Sequence, residues 1–264
     1  MLMGSTAPTF SAPPQRVQFH GLLFDMDGTI IDSTEAVEKH WHTYGYIHFR
    51  CLTLLYSKTI SNQLCSIGEE LGVDPKVILQ TSHGRRSIDV LKIISPEKAN
   101  WEYICHMEGL LPKLYSEDVN EIPGARRLLN EVTEAKAPWA IVTSGTSPLV
   151  SGWIKILKLP PPQHLVSAES VENGKPDPTC YLIGKEKLGL KSDSHVLVLE
   201  DSPAGIKAGK AAGCKVLAVV TSHTVEQVLA AEPDWIVKDL ESVKVVGTSG
   251  NGVELEFSNA LELK

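Results

Sequence analysis

The chain predicts an α/β protein, a Rossmann-like parallel sheet with a helical cap inserted after its first strand. Short and almost uninterrupted apolar runs recur, amphipathic helical patterns separate them, and one long interval breaks the alternation. The runs are 21–25 (GLLFD), 139–143 (WAIVT), 164–167, 195–200 (HVLVLE), 215–220 (KVLAVV) and 234–237. Runs so short and so poor in polar residues suit strands covered on both faces, the setting of a parallel sheet. Between them Ala125, Leu128, Leu129 and Val132 share one helical face, as do Leu149, Val150, Trp153, Ile154 and Leu157. Alternating β and α elements connect by right-handed crossovers, and ligands of such sheets sit beyond the carboxyl ends of the strands.

The order of elements sets the expected domains. Residues 1–17, rich in Ser, Thr and Pro, read as a flexible leader. Residues 18–35 and 123–248 supply the α/β core. From 36 to 122 no buried-strand run stands between clear turn signals, which predicts the helical cap. Inside it, residues 46–66 interrupt an otherwise continuous amphipathic pattern with aromatic, Cys, Leu and Ser residues. That stretch reads either as a lid extension or as translated intron sequence, and the broken helix favours the second. From 249 to 264, alternating Val253, Leu255 and Phe257 behind Ser249-Gly250-Asn251-Gly252 predict a closing hairpin.

Composition narrows the function. With 264 residues, 42% of them hydrophobic, the chain can bury a full core without disulfides or a structural metal. A net charge of −7 argues against a nucleic-acid surface. No apolar run approaches the roughly 18–20 residues of a membrane span, and the first seventeen residues lack the apolar stretch of a signal peptide. The five cysteines (51, 65, 105, 180 and 214), odd in number and without CxxC spacing, suit the reduced thiols of the cytoplasm.

Four loops carry the chemistry. The first strand ends in Asp25-Met26-Asp27-Gly28-Thr29, two carboxylates on one rim of the sheet beside a glycine that permits a tight turn. Like charges so close need a cation or a shared proton. The second strand ends in Thr143-Ser144-Gly145, a turn with a hydroxyl at the same rim. Gly174-Lys175-Pro176-Asp177-Pro178 sets a lysine in a rigid turn before a helix, and the fourth strand runs into Glu200-Asp201-Ser202. Each alone is a common cap or loop; together, in this order and each at or just beyond a strand end, they form a constellation.

That constellation, DMDGT at 25–29, Thr143, Lys175 and Glu200-Asp201, resembles the haloacid dehalogenase (HAD) superfamily of phosphotransferases, and the helical insertion lies where that superfamily carries its common cap. More narrowly, DMDGTIIDS, SHGRRSIDVL, VTSGT, NGKPDPTCYL and EDSPAGIKAGKAAGCK are similar to fungal glycerol-phosphate and 2-deoxyglucose-6-phosphate phosphatases. The resemblance implies that Asp25 attacks phosphorus, and that Asp27 protonates the leaving alkoxide and then activates water. It implies a Mg²⁺ held by Asp25, the Asp27 carbonyl, Asp201 and Glu200, with phosphoryl oxygens bound by Thr143, Ser144, Gly145 and Lys175. Thr29 and Ser202 are expected to support these groups by local hydrogen bonds. The resemblance further implies a small phosphate ester as the partner and a monomeric protein.

In the cap, Ser82-His83-Gly84-Arg85-Arg86 is distinctive, and His83, Arg85 and Arg86 are the residues expected to sense the substrate. Asp27 argues against a dehalogenase, which lacks an acid there, and against a transport ATPase, which has threonine. Two alternatives stay open. A β-phosphoglucomutase-type mutase would carry a histidine twelve residues past the nucleophile, where this chain has Val37. A non-catalytic phosphate-binding protein would use the same pocket.

Overall fold

The computed structural model describes residues 8–41, 84–249 and 252–262. Its centre is a six-stranded sheet built from β1 (Gly21–Phe24), β2 (Trp139–Val142), β3 (His164–Val166), β4 (Val196–Glu200), β5 (Lys215–Val219) and β6 (Trp235–Val237). All neighbours are parallel, in the order β6-β5-β4-β1-β2-β3. The chain leaves β1 on one side through β2 and β3, then crosses back to β4 on the other, so β1 and β4 flank the point where strand order reverses. Ligand crevices form outside the carboxyl ends at such a point.

Every residue of β1, β2 and β4 is buried, which is why these runs lack polar residues. The pleat divides them between two cores. Leu22 and Phe24 pack with Leu128, Leu129, Val150 and Trp153 of helices Ala125–Glu134 and Ser147–Leu157. Leu23 faces the other way, with Val142, Val198, Tyr181 and Ile206 of helices Thr179–Lys187 and Pro203–Ala211. Each fully buried aliphatic or aromatic side chain contributes about 1.5–3 kcal/mol before entropy is counted. The predicted α/β class and its six apolar runs therefore hold.

Residues 84–118 are helical in the main, with helices Ser87–Ile94, Trp101–Glu108 and Leu111–Leu114. Ile88, Val90, Leu91, Ile104 and Met107 form a third apolar cluster with Trp41, from the helical residues 34–41. The anomalous stretch 46–66 lies outside the described residues. Where the chain leaves and rejoins the core, Ile31–Asp32 pairs antiparallel with Asn120–Glu121.

The two ends of the chain depart from expectation. Within the predicted flexible leader, Phe10–Ala12 pairs with Ala260–Leu261, and Gln15–Phe19 forms a strand against Gly252–Phe257. The alternation Val17, Phe19 is a half-buried strand pattern whose partner lies at the far end of the chain, so local composition conceals it. The closing hairpin pairs Val243–Ser249 with Gly252–Phe257, so the expected stretch from 249 to 264 holds its turn and second strand. Val243, Val253, Leu255 and Phe257 are buried and extend the first core.

Candidate active site

The site forms where the first turn after β1 meets the loops after β2 and β4. The Met26 carbonyl accepts the amides of Thr29 (3.2 Å), Ile30 (2.8 Å) and Ile31 (3.1 Å), folding the chain back on itself beyond Asp25. Gly28 takes φ +89°, and a Cβ there would lie 2.2 Å from Asp201 Oδ2, so glycine is required for both backbone and space. The turn keeps Asp25 and Asp27 at the same rim. Ser33 donates to Asp27 Oδ1 at 2.5 Å and orients it.

Lys175 is 8% exposed and reaches into the centre of the site. Its Nζ donates to Asp25 Oδ1 (2.5 Å), Glu200 Oε1 (2.6 Å) and the Val142 carbonyl (3.2 Å), which engages all three ammonium hydrogens. Burial works against its charge, but Asp25 and Glu200 outweigh that and hold its pKa above the ordinary lysine value. The Tyr181 ring lies 5.1 Å from the same ammonium.

Glu200 organises rather than lines the site. Its Oε1 accepts from Lys175 and from the Tyr181 hydroxyl at 2.7 Å. Its Oε2 accepts from the amides of Asp201 and Ser202 and from the Ser202 hydroxyl, each at 3.1 Å. Burial pushes its pKa up, and Lys175 with these hydrogen bonds overcomes that and holds it below the usual range. Asp201 accepts from Thr29 Oγ1 at 3.2 Å and from the Ser222 hydroxyl. The supporting roles predicted for Thr29 and Ser202 match these bonds.

One cavity is lined by Asp25, Asp27, Thr143, Ser144, Gly145, Asp201 and the cap residue Arg85, together with Glu108 and Ser222. Thr143 Oγ1 accepts from the Gly145 amide at 3.0 Å, which leaves the Thr143 hydroxyl hydrogen to be donated elsewhere. The Ser144 hydroxyl donates to the Gly84 carbonyl at 2.9 Å and so ties this loop to the cap. Two expected residues stand apart from that lining. Lys175 and Glu200 sit behind it, in contact with Asp25 and Asp201. Arg86 is absent from it: its guanidinium is held by Asp89 and by main-chain carbonyls of the core. His83 lies outside the described residues.

Ligand oxygens of Asp25, Glu200 and Asp201 lie within 4.8 Å of one another, and all three residues are buried. Lys175 is paired with two of them, Asp25 and Glu200, and Asp27 adds a further carboxylate to the cavity lining. Burial drives Asp25 well above the ordinary carboxylate range, Lys175 opposing and Glu200 and Asp201 reinforcing the rise. Burial and the neighbouring Glu200 push Asp201 up to about 7. Surplus negative charge on an all-oxygen donor set fits a hard divalent cation such as Mg²⁺.

Sequence reasoning missed three contributors. Tyr181 could have been read from its place on the helix after Lys175, on the face toward the sheet. Ser222 lies just past β5, at the same rim as the other strand ends. Glu108, buried on the cap helix Trp101–Glu108, accepts the Thr146 amide at 2.9 Å and a hydrogen bond from Ser87; no local pattern marks it.

The fold and this cluster at the strand ends define a hydrolase class, and the sequence model described as haloacid dehalogenase-like hydrolase matches residues 22–219. The chain belongs to that family, and within it is a phosphatase, a phosphoric monoester hydrolase. It is similar to glycerol-1-phosphate phosphohydrolase 1 of Saccharomyces cerevisiae, 34% identical over 260 residues, 95% of each chain. It is also similar to 2-deoxyglucose-6-phosphate phosphatase 1 of the same yeast, 34% identical over 90% of this chain and 95% of that one. Among solved structures, a hydrolase from Pseudomonas syringae shares the fold, with a TM-score of 0.60, 21% identity, and coverage of 83% of this chain and 94% of that one. No helix among the described residues is long and apolar enough to cross a membrane.

Proposed function

We propose that the chain hydrolyses the phosphate monoester of a small polyol or sugar, with Mg²⁺ as cofactor and an aspartyl-phosphate on Asp25 as intermediate. The observation that carries this reading is Asp25 itself. Its carboxylate is pinned through one oxygen by Lys175 at the end of β1 and stands beside Asp27 and Asp201 in one cavity. The alternating elements, the four rim motifs and the two yeast relatives all support it.

In the first half-reaction the Asp25 oxygen that is not bonded to Lys175 attacks phosphorus. The phosphorus–alkoxide bond breaks, and Asp27 gives the departing oxygen its proton. In the second, Asp27 takes a proton from water, the water oxygen attacks phosphorus, and the bond to Asp25 breaks. Inorganic phosphate leaves and Asp27 is protonated again. Ser33 holds Asp27 for both transfers. The Thr143 hydroxyl and the loop amide of Ser144 would donate to the phosphoryl oxygens. Lys175 aligns the nucleophile and offsets charge in the buried site, with Glu200 fixing Lys175. Asp25, the Asp27 carbonyl and Asp201 would hold the Mg²⁺, whose charge lets two anions approach and draws electron density from the phosphoryl group.

The cap narrows the substrate. Arg85, Glu108 and the Ser87 hydroxyl give the cavity a polar roof, suited to a hydroxyl-rich organic part. Glycerol phosphate and 2-deoxyglucose 6-phosphate, the compounds in the relatives' names, are the first esters to test. A mutase has less support. Val37 lines the cavity at the position where that reading needs a histidine, and an aliphatic side chain carries no proton. Cys105, Cys180 and Cys214 are free thiols, which supports a reducing compartment such as the cytoplasm.

The test is phosphate release from a panel of polyol and sugar phosphates, with and without Mg²⁺, by the native chain and by Asp25→Asn. Metal-dependent release that Asp25→Asn abolishes is expected. An isomerised sugar phosphate without free phosphate would move the reading to the mutase, and binding without turnover would move it to the non-catalytic protein.

A further inference from the structure

Arg86 belongs to the most distinctive stretch of the cap sequence, yet the reaction above makes no use of it. Its side chain is only 3% exposed, which is rare for arginine. Nε and Nη2 donate to the two oxygens of Asp89 at 2.8 and 2.9 Å. Nη2 also donates to the Glu172 carbonyl at 2.9 Å, and Nη1 to the carbonyls of Val171 at 2.8 Å and Ala168 at 3.4 Å. All five guanidinium hydrogens are therefore engaged. The three carbonyls belong to the core loop that runs from the turn Ala168–Ser170 to Lys175. Trp101 of the cap lies 5.9 Å from the guanidinium carbon.

Gly174, the residue before Lys175, makes room for this arrangement. A Cβ at that position would stand 2.7 Å from Arg86 Nε and 3.2 Å from Asp89 Oδ2. The Gly174 backbone is not left-handed, so alanine would meet no dihedral penalty there. What excludes it is the arginine, which cannot move aside without losing charge-assisted bonds in a buried place.

We propose that Arg86 is a positioning residue, a clasp through which a single cap side chain sets both the seat of the cap and the alignment of Lys175 on Asp25. A planar fork that grips three carbonyls of one loop restrains it in translation and in rotation, and a lysine ammonium cannot reproduce that grip. The inference rests on the reading of Asp25 and Lys175 as the reacting centre.

The test is a double-mutant cycle on the full chain, comparing the native protein, Arg86→Ala, Gly174→Ala and the double variant, with Arg86→Lys as the charge-conserving control. Tm is measured for each, with kcat and KM for glycerol 1-phosphate and 2-deoxyglucose 6-phosphate in Mg²⁺. Arg86→Ala and Arg86→Lys should each lower kcat about 10–100-fold on any ester that is turned over, with KM within about threefold of native. Gly174→Ala should lower Tm by about 5 °C in the native background and by less than about 1 °C once Arg86 is alanine. A rise in KM at unchanged kcat would make Arg86 a substrate contact and overturn the proposal. Unchanged kcat beside a lower Tm, or additive Tm changes, would overturn it as well. Should the native chain turn over no ester, the phosphatase reading fails, while the Tm cycle still decides whether Arg86 and Gly174 are coupled.

Discussion

The Tyr181 hydroxyl and the Lys175 ammonium donate to the same oxygen, Glu200 Oε1, at 2.7 and 2.6 Å. The three groups are buried at the carboxyl ends of β1 and β4, where Lys175 also grips Asp25. Tyr181→Phe keeps the ring that packs in the core and faces the ammonium, and removes only the hydrogen bond. Stability should fall by about 1 kcal/mol. Because Glu200 then orients Lys175 less firmly, kcat should fall about tenfold or more. Unfolding curves and steady-state kinetics on the same preparation check both, and a loss of stability with native kcat would reduce Tyr181 to packing.

Gly205 lies inside the helix Pro203–Ala211, where alanine would ordinarily gain about 1 kcal/mol of helix propensity. Here a Cβ would stand 1.7 Å from Glu200 Oε1. Space should outweigh propensity, so Gly205→Ala is expected to destabilise the chain by about 1–3 kcal/mol and to displace Glu200 from Lys175. A stabilised, fully active Gly205→Ala would show that the close approach is absent in solution.

The two carboxylates after β1 should separate kinetically. Asp25→Asn removes the attacking oxygen, and kcat should drop by at least about 10³-fold. Asp27→Asn should cost about 10²–10⁴-fold with poor leaving groups. With a phenolic ester, whose leaving group needs no acid, Asp27→Asn should still form the aspartyl-phosphate on Asp25 and fail to clear it. Mass spectrometry of the acid-quenched protein detects that species.

Cation removal should act on stability as well as on turnover. Asp25, Glu200 and Asp201 bring their ligand oxygens within 4.8 Å of one another, so a divalent ion should bind the folded chain in preference to the unfolded one. Chelation should abolish phosphate release and lower Tm by a few degrees, with Mg²⁺ restoring both. Asp201→Asn should make Tm indifferent to Mg²⁺. A Tm shift of native size in Asp201→Asn would place the ion elsewhere.

Asp234 offers a pH test away from the site. It accepts from Lys210 (3.0 Å), Lys215 (2.7 Å) and the Val216 amide (2.9 Å), joining β5 to the approach of β6. Burial alone would raise its pKa, but these partners hold it below its usual 3.8. A depressed carboxyl adds stability above its unfolded pKa and loses it as pH falls through the folded value. Asp234→Asn should therefore cost about 1 kcal/mol at pH 7, the half-exposed lysines limiting the figure. The difference from native should shrink below the usual carboxylate range, and urea unfolding at several pH values measures it. A constant difference across pH would assign the loss to something other than charge.

Much of this was legible in the chain itself. Gly21–Phe24, Trp139–Val142 and Val196–Glu200 reveal themselves as strands because burial on both faces excludes polar residues from consecutive positions. Asp25, Asp27, Thr143 and Asp201 follow, since each sits where an apolar run stops and parallel strands stop at one rim. Arg86 could be flagged as unusual, but its direction could not be read: a basic residue beside a glycine looks alike whether it turns to the cavity or to the carbonyls of Ala168, Val171 and Glu172.

The sequence by itself determined the α/β alternation, the strand ends that carry the carboxylates and the family to which the chain belongs. The first two rest on periodicity and on spacing within a few residues, and the third on the resemblance of the four loop motifs to a known family. Only the tertiary structure decided that Gln15–Phe19 is a strand against Gly252–Phe257, that Tyr181 and Ser222 complete the acidic cluster, and that Arg86 serves the core loop. Each of these joins groups remote in the chain. A buried polar side chain takes its role from whichever donors and acceptors the sheet order brings beside it, and that order is set by packing rather than by any local pattern.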